Sequence, residues 1–223
     1  MVGDSTMADK PQPDKNPERG WGQLLPEFVT EGVVVENHAA GGRSTRSFIA
    51  EDRWNPVLEK LQPGDWVIIQ FGHNDQKKKR PDLYTDPASD FPQFLERFVR
   101  ESRAKGAKPV LATSIYRRYF HADGSPKSSL GPYATATQSV AKTLEVPVVD
   151  LHTLTGALLA EFGVEGSKTL FLHFTPGEHP FFPNGHQDNS HLSELGARRV
   201  AELFVRDMAL QDIGFPARPI TDH

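Results

Sequence analysis

A three-layer α/β/α sandwich built on a short parallel sheet is the fold class this sequence predicts. Three observations lead there. Short β-branched apolar runs alternate with amphipathic stretches along the chain. The runs are nearly continuous, as strands covered on both faces are. The 18 glycines and 18 prolines in 223 residues call for long, shaped loops and against a helical bundle. Strand and helix in alternation imply parallel pairing with helices on both faces.

Taken in order, Val33–Asn37 reads as a buried strand. Trp66–Phe71 is a second, entered through the turn Gln62-Pro63-Gly64-Asp65. Pro109–Ile115 and Val146–Asp150 are a third and a fourth. Helical periodicity fills the gaps at Gly22–Thr30, Thr45–Leu61, Asp90–Lys105, Pro132–Leu144, His152–Phe162 and Ser193–Leu210. Phe48, Trp54, Val57, Leu58 and Leu61 form an apolar stripe on the Thr45–Leu61 helix. Leu195, Val200, Leu203, Phe204 and Met208 form one on the last helix.

The composition narrows the function. Hydrophobic residues make up 37% and charged residues 24%, which suits a globular protein rather than a disordered one. Lys and Arg number 25 against 29 Asp and Glu, giving a net charge of −4, so a globally basic nucleic-acid binder is not expected. Cysteine is absent, which removes disulfides, thiolate metal sites and a cysteine nucleophile. No apolar run approaches the ~18 residues of a membrane span, and no signal peptide is visible. One domain over 1–211 with a C-terminal tail over 212–223 is expected at this length.

In open parallel sheets, ligands bind beyond the carboxyl ends of the strands. Polar clusters stand at such places. Gly3-Asp4-Ser5-Thr6 lies near the start, and Asn37-His38-Ala39-Ala40-Gly41-Gly42-Arg43-Ser44 follows the Val33 run. Gly72-His73-Asn74-Asp75 follows the Trp66 run, and Asp188-Asn189-Ser190-His191 is expected to open the last helix. This set resembles the SGNH (GDSL-type) hydrolases, whose Gly-Asp-Ser, glycine, Gly-x-Asn-Asp and Asp-x-x-His blocks come in that order. Within them it is similar to the rhamnogalacturonan acetylesterase-like carbohydrate esterases. Gly20-Trp21-Gly22-Gln23, Gly42–Phe48, Gln70–Asp75 and Arg117-Arg118 carry that closer likeness, and the blocks span nearly the whole chain.

The resemblance implies a flavodoxin-like sheet of strand order 2-1-3-4-5 and a serine esterase acting on O-acetylated carbohydrate. Acetylated pectin of the rhamnogalacturonan type is the foremost substrate class. It implies no cofactor and no metal, and a secreted or periplasmic location. Ser5 becomes the nucleophile and His191 the general base that later returns the proton to the leaving alcohol. Asp188 fixes the histidine tautomer. The backbone N–H groups of Ser5 and Gly42 and the Asn74 amide become the oxyanion donors. His73, Arg43, Arg117 and Arg118 become candidate substrate-binding residues. In this family the Gly-Asp-Ser block follows the first, central strand. Only Met1 and Val2 precede Gly3 here, so that strand is expected to be missing or a stub.

Rival readings exist for each piece. Taken singly, Ser5, Asp188 and Ser190 are helix caps, Gly41-Gly42 is a tight turn, and His73 and Asp75 are hydrogen bonders that hold their loop. Jointly those readings require several accidents in the right order. His173, Glu178, His179, His186, Asp188 and His191 crowd one stretch and raise a zinc site. However, no His-x-x-x-His pair sits on a helix there, and prolines and glycines break the stretch. A general short-chain carboxylesterase or lipase of the GDSL type is the nearest other enzyme. A non-catalytic carbohydrate-binding protein on the same fold would lack the nucleophile or base, and neither is missing. Finally, Lys77-Lys78-Lys79-Arg80, Arg43, Arg46, Arg117 and Arg118 all follow strand ends. A locally basic rim there would suit an acidic polysaccharide.

Overall fold

The computed structural model describes residues 1–219. In chain order the elements are β1 (Val2–Gly3), β2 (Glu18–Arg19), α1 (Trp21–Leu24), α2 (Thr45–Ala50), α3 (Asn55–Lys60), β3 (Trp66–Gln70), α4 (Asp90–Ala104), β4 (Lys108–Ala112) and α5 (Gly131–Leu144). They continue with β5 (Val148–Val149), α6 (Leu151–Gly166), β6 (Phe171–Phe174), β7 (His186–Ser193) and α7 (Glu194–Leu210). The chain gathers into two compact units. The first holds Met1–Ser5, His38–Ser114 and Leu130–His152; the second holds Thr6–Asn37, Ile115–Ser129 and Thr153–His223.

The first unit is the parallel α/β half. Its sheet has the order β1-β3-β4-β5, parallel throughout. Val2 pairs with Ile69 and Gly3 with Gln70, so β1 is present as a two-residue stub. Beside it, His38 N–H donates to Met1 O and Ala40 N–H to Gly3 O, both at 2.9 Å. This short segment takes the place of the expected second strand. The strand expected at Val33–Asn37 does not form. Thr30–Val33 is a turn with Gly32 at φ 87°, and Val34 is 83% exposed. Three valines in a row met the composition of a buried strand, but their backbone never reaches a neighbouring strand.

Phe48, Trp54, Phe71 and Phe98 form an aromatic cluster in this unit's core, with ring centroids 4.9–6.3 Å apart. The helix expected over Thr45–Leu61 is two helices, α2 and α3. Pro56 at the start of α3 cannot continue a helix through the carbonyl of residue 52, and Asp52 turns left-handed at φ 56°. The apolar stripe survives the break: Phe48, Trp54 and Val57 are buried, and Leu58 and Leu61 pack against the same core. α4 and α5 match the expected helices nearly to the residue.

The second unit holds an antiparallel sheet of order β2-β7-β6, which the alternation of runs did not foretell. β7 carries Asp188-Asn189-Ser190-His191, so this block is a strand and does not open the last helix. Polar residues hid it, because its burial is intermediate along most of its length. The cap of α7 is Ser193, whose Oγ accepts from Gly196 N–H. Leu195, expected in the apolar stripe of α7, is exposed, while Val200, Phe204 and Met208 are buried. The helix read from Gly22 to Thr30 ends as α at Leu24 and passes into a 3₁₀ turn at Leu25–Glu27 containing Pro26. The segment expected as a tail packs back as far as it is described. Thr30 N–H donates to Pro216 O, Arg218 N–H to Phe28 O, and Phe215 meets Phe204 edge-on. Residues 220–223 of that expected tail lie outside the described residues.

Candidate active site

In the first unit, the loops after β1 and β3 carry Ser5 and Asn74. Ser5 stands in the turn that follows β1, partly buried. Gly41 lies against it: a methyl group on Gly41 would come within 3.8 Å of Ser5 Cβ. Gly42 follows at φ 79°, where an L side chain is strained and glycine is not. Space is not its reason, since a Cβ there would meet no atom within 4 Å. The left-handed turn sets the direction of the backbone N–H groups around Gly42.

Asn74 is 4% exposed, and both ends of its amide are engaged. Nδ2 donates to the Arg43 carbonyl at 2.9 Å, and Oδ1 accepts from Lys77 Nζ at 2.6 Å. A carbonyl can only accept and an ammonium can only donate, so the two partners independently fix which end is nitrogen. The glycine block and the Gly-x-Asn-Asp block are thereby tied together, and one Asn74 N–H is left to give. The glycine of the latter block has a steric reason of its own. Gly72 sits at φ 138°, and a Cβ there would collide with Ser114 Oγ.

Asp75 is fully buried and organises the floor of these loops. Its Oδ1 accepts from Thr45 N–H (3.0 Å), Thr45 Oγ1 (2.6 Å) and Thr85 Oγ1 (2.8 Å). Burial pushes its carboxyl up to about 6, although those hydrogen bonds pull the other way. Tyr133 Oη donates to Thr85 O at 2.8 Å and lies 3.1 Å from Asp75 O. His73 is 4% exposed, with Nδ1 3.4 Å from Asp4 Oδ2. Asp4 adjoins Ser5 and His73 adjoins Asn74, so this pair braces the two loops from beneath. His73, offered by the sequence as a substrate-binding residue, is buried with its Nδ1 turned to Asp4.

In the second unit, β7 carries the Asp188–His191 pair. Asp188 Oδ2 lies 2.7 Å from His191 Nδ1, while Oδ1 accepts the backbone N–H groups of Ser190 (2.6 Å) and His191 (3.0 Å). Burial works to raise the Asp188 carboxyl. The His191 hydrogen bond, these N–H donors and the imidazole charge outweigh it and hold Asp188 well below the usual carboxylate range. The Asp188 bond in turn raises His191, against the effect of burial. An ionised carboxylate at Nδ1 keeps the proton there and leaves Nε2 as the basic atom.

The arginines divide. Arg118 is 8% exposed and serves the protein. Its guanidinium donates to Ser167 Oγ, Asn189 Oδ1 and Val164 O, and its backbone N–H to Asn189 O. It holds the strand that bears Asp188 and His191, with Nε, Nη1 and Nη2 each engaged by the protein. Arg43 pairs with Glu51 at 2.9 Å and donates to Gly41 O at 2.7 Å. Arg46 pairs with Asp90 and Arg80 with Asp82. Much of the expected basic rim is therefore neutralised locally. Arg117 is half-buried. The histidines of the rival metal reading are dispersed: His173 bonds Asn189, His186 stacks on Phe182 at 4.2 Å, and His191 pairs with Asp188. Among the described residues, no three His, Asp or Glu side chains gather as a metal site would require. No helix among them is long and apolar enough to cross a membrane.

Thr45, Thr85, Tyr133, Lys77 and Asn189 support these groups, and sequence reasoning singled out none of them for it. Lys77 and Asn189 stood inside blocks the sequence singled out for other reasons, and Thr45 inside the Gly42–Phe48 block.

Comparisons with known proteins converge. The chain is 45% identical over 218 residues, 98% of its length and 91% of the relative's, to the rhamnogalacturonan acetylesterase RhgT of Bacillus subtilis. It is 31% identical over 216 residues, 97% of its length and 93% of the relative's, to the probable rhamnogalacturonan acetylesterase YesY of the same organism. The crystal structure of Bacillus subtilis YxiM superposes with a TM-score of 0.82 at 26% identity. That match covers 96% of this chain and 56% of YxiM, so the chain spans little more than half of that protein. The family model of the GDSL-like lipase/acylhydrolases matches residues 1–199, which include every block from Gly3 to His191. Motif order, fold and likeness agree, and the chain belongs to the GDSL-like lipase/acylhydrolase family.

Proposed function

We propose that this protein is a serine esterase that removes O-acetyl groups from a carbohydrate, with acetylated pectin of the rhamnogalacturonan type as its substrate class. The observation that carries the reading is the 2.7 Å Asp188–His191 pair, which holds the proton at His191 Nδ1 and makes Nε2 the basic atom. The likeness to a relative named for that activity supports the choice of substrate.

In the proposed reaction, Ser5 Oγ attacks the acetyl carbonyl while His191 Nε2 takes its proton. The carbonyl oxygen becomes an oxyanion held by the N–H groups of Ser5 and Gly42 and by the remaining Asn74 N–H. Collapse breaks the bond to the sugar oxygen, which receives the proton from His191. Water then attacks the acetyl-Ser5 ester, gives its proton to His191, and acetate leaves as the proton returns to Ser5. Asp188 stays ionised throughout and stabilises the imidazolium. No step requires a metal or a cofactor. An acidic polysaccharide would meet positive charge at Arg117.

Ser5→Ala tests the reading. Acetate release from acetylated rhamnogalacturonan should fall about a thousand-fold or more with the melting temperature preserved. A fluorophosphonate should label the parent protein at Ser5. Near-parental turnover by the variant overturns the serine mechanism. Equal activity on long-chain acyl esters and on acetylated polysaccharide would favour a general lipase instead.

A further inference from the structure

The basic run Lys77–Arg80 reads from sequence as a solvated face or part of a substrate rim. The structure separates its first member from the rest. Asn74 begins a turn closed by Lys77 N–H donating to Asn74 O at 3.1 Å. That turn folds the Lys77 side chain back over the residue that starts it, and its Nζ reaches Asn74 Oδ1 at 2.6 Å. The distance is that of a charge-assisted hydrogen bond.

We infer that Lys77 is a positioning residue for the esterase reaction, holding and polarising the Asn74 amide so that its remaining N–H is aimed and strengthened as an oxyanion donor. The inference rests on the reading of Asn74 as such a donor. Two physical effects act together. First, an amide can flip about its last torsion, exchanging nitrogen for oxygen at little steric cost. With Lys77 on one end and the Arg43 carbonyl on the other, the flipped form would set ammonium against NH₂ and carbonyl against carbonyl. The productive orientation is thus fixed before substrate arrives, which is what preorganised oxyanion stabilisation requires. Second, a positive charge on the amide oxygen draws electron density from the nitrogen, so its N–H bonds a developing negative charge more strongly. That gain is larger in the transition state than with the neutral carbonyl, so it lowers the barrier rather than tightening ground-state binding.

Lys78 and Lys79 are also exposed and belong to the same run. They provide the internal comparison, because a mere electrostatic rim would treat the three alike. The test substrate is a neutral acetyl ester, which removes any attraction between the run and an acidic chain. Lys77→Met should lower kcat about ten-fold with KM within two-fold and an unchanged melting temperature. The loss should persist in 1 M NaCl, where long-range attraction is screened within ~3 Å. Lys77→Arg, which keeps a charged donor, should recover most of the rate. Lys78→Met and Lys79→Met should match the parent. Asn74→Ala should lose about a hundred-fold or more. The double variant Asn74→Ala/Lys77→Met should be no slower than Asn74→Ala alone, since Lys77 acts only through Asn74. An unchanged kcat in Lys77→Met, or a double variant slower by the full product of the single losses, overturns the inference while leaving the esterase reading in place. A full-rate Asn74→Ala instead overturns the oxyanion assignment itself, and the role of Lys77 with it.

Discussion

Asp75 accepts both the backbone N–H and the hydroxyl of Thr45, at 3.0 and 2.6 Å, and so ties the first turn of α2 to the loop that carries Asn74. The carboxyl of the Gly-x-Asn-Asp block is thus a fastening between two loops. Asn74 Nδ2, donating to the Arg43 carbonyl at 2.9 Å, joins the same two loops a second time.

The pH dependence of stability follows from this. Burial raises the Asp75 carboxyl to about 6 from an ordinary 3.8. A carboxyl with a raised folded pKa holds its proton more tightly when folded. Its contribution is therefore fully present below 3.8 and is lost as pH rises through about 6. Asp75→Asn removes the titration, so the stability of the parent relative to this variant should decline between pH 4 and pH 7, by on the order of 2–3 kcal/mol. Denaturant melts across that range check it. A difference that does not vary with pH rejects the assignment. Asp75→Ala, which strands the Thr45 and Thr85 donors, should cost about 3 kcal/mol or more at any pH.

The activity profile reports His191. Its pKa is raised, chiefly by the Asp188 hydrogen bond, and it must be neutral to accept the Ser5 proton. kcat/KM on a soluble acetyl ester should rise with pH through a single midpoint above the ordinary histidine value of ~6.5. Asp188→Asn should lower the plateau about a hundred-fold or more and move the midpoint down. A midpoint indifferent to Asp188→Asn would detach the profile from His191.

Gly42 separates geometry from stability. Gly42 at φ 79° and Gly64 at φ 95° are both left-handed, and a Cβ at either meets no atom within 4 Å. Gly42→Ala and Gly64→Ala should each cost about 1–2 kcal/mol of stability, the strain of an L residue in that region. Only Gly42→Ala should lower kcat, by about ten-fold or more, since only that turn aims a proposed oxyanion donor. Equal kinetics in the two variants would remove Gly42 from the reaction.

Arg117 and Arg118 should part company. Arg118→Met removes the guanidinium donor that the Val164 carbonyl, Ser167 Oγ and Asn189 Oδ1 share. It should lower stability by about 2–4 kcal/mol and slow acidic and neutral esters alike. Arg117→Ala should raise KM for an acetylated, uronate-containing chain several-fold more than for a neutral acetyl ester. Parallel losses on both substrates would reject the acidic-polysaccharide reading and leave the esterase standing.

Much of this protein was written in local pattern. β3, β4 and β5, the helices α4, α5 and α7, and the order of the polar blocks depend on runs and periods a few residues long, which any reader of the chain can see. Gly42 and Gly72 were visible as glycines, but the reasons differ. One needs a left-handed turn, and the other must clear Ser114, a residue 42 positions away. Tertiary structure decided what local pattern could not. Val33–Asn37 has the composition of a buried strand, yet the two hydrogen bonds to β1 fall at His38 and Ala40. β7 reads as a polar loop because it is only half covered, and one of its partners, β2, comes from a distant part of the chain. Arg118 and Lys77 look alike in sequence as surface cations. One is buried at 8% exposure holding β7, and the other is folded by a turn onto Asn74. Charge and residue type are local properties; which carbonyl or amide a long side chain reaches is set by segments the local sequence does not contain.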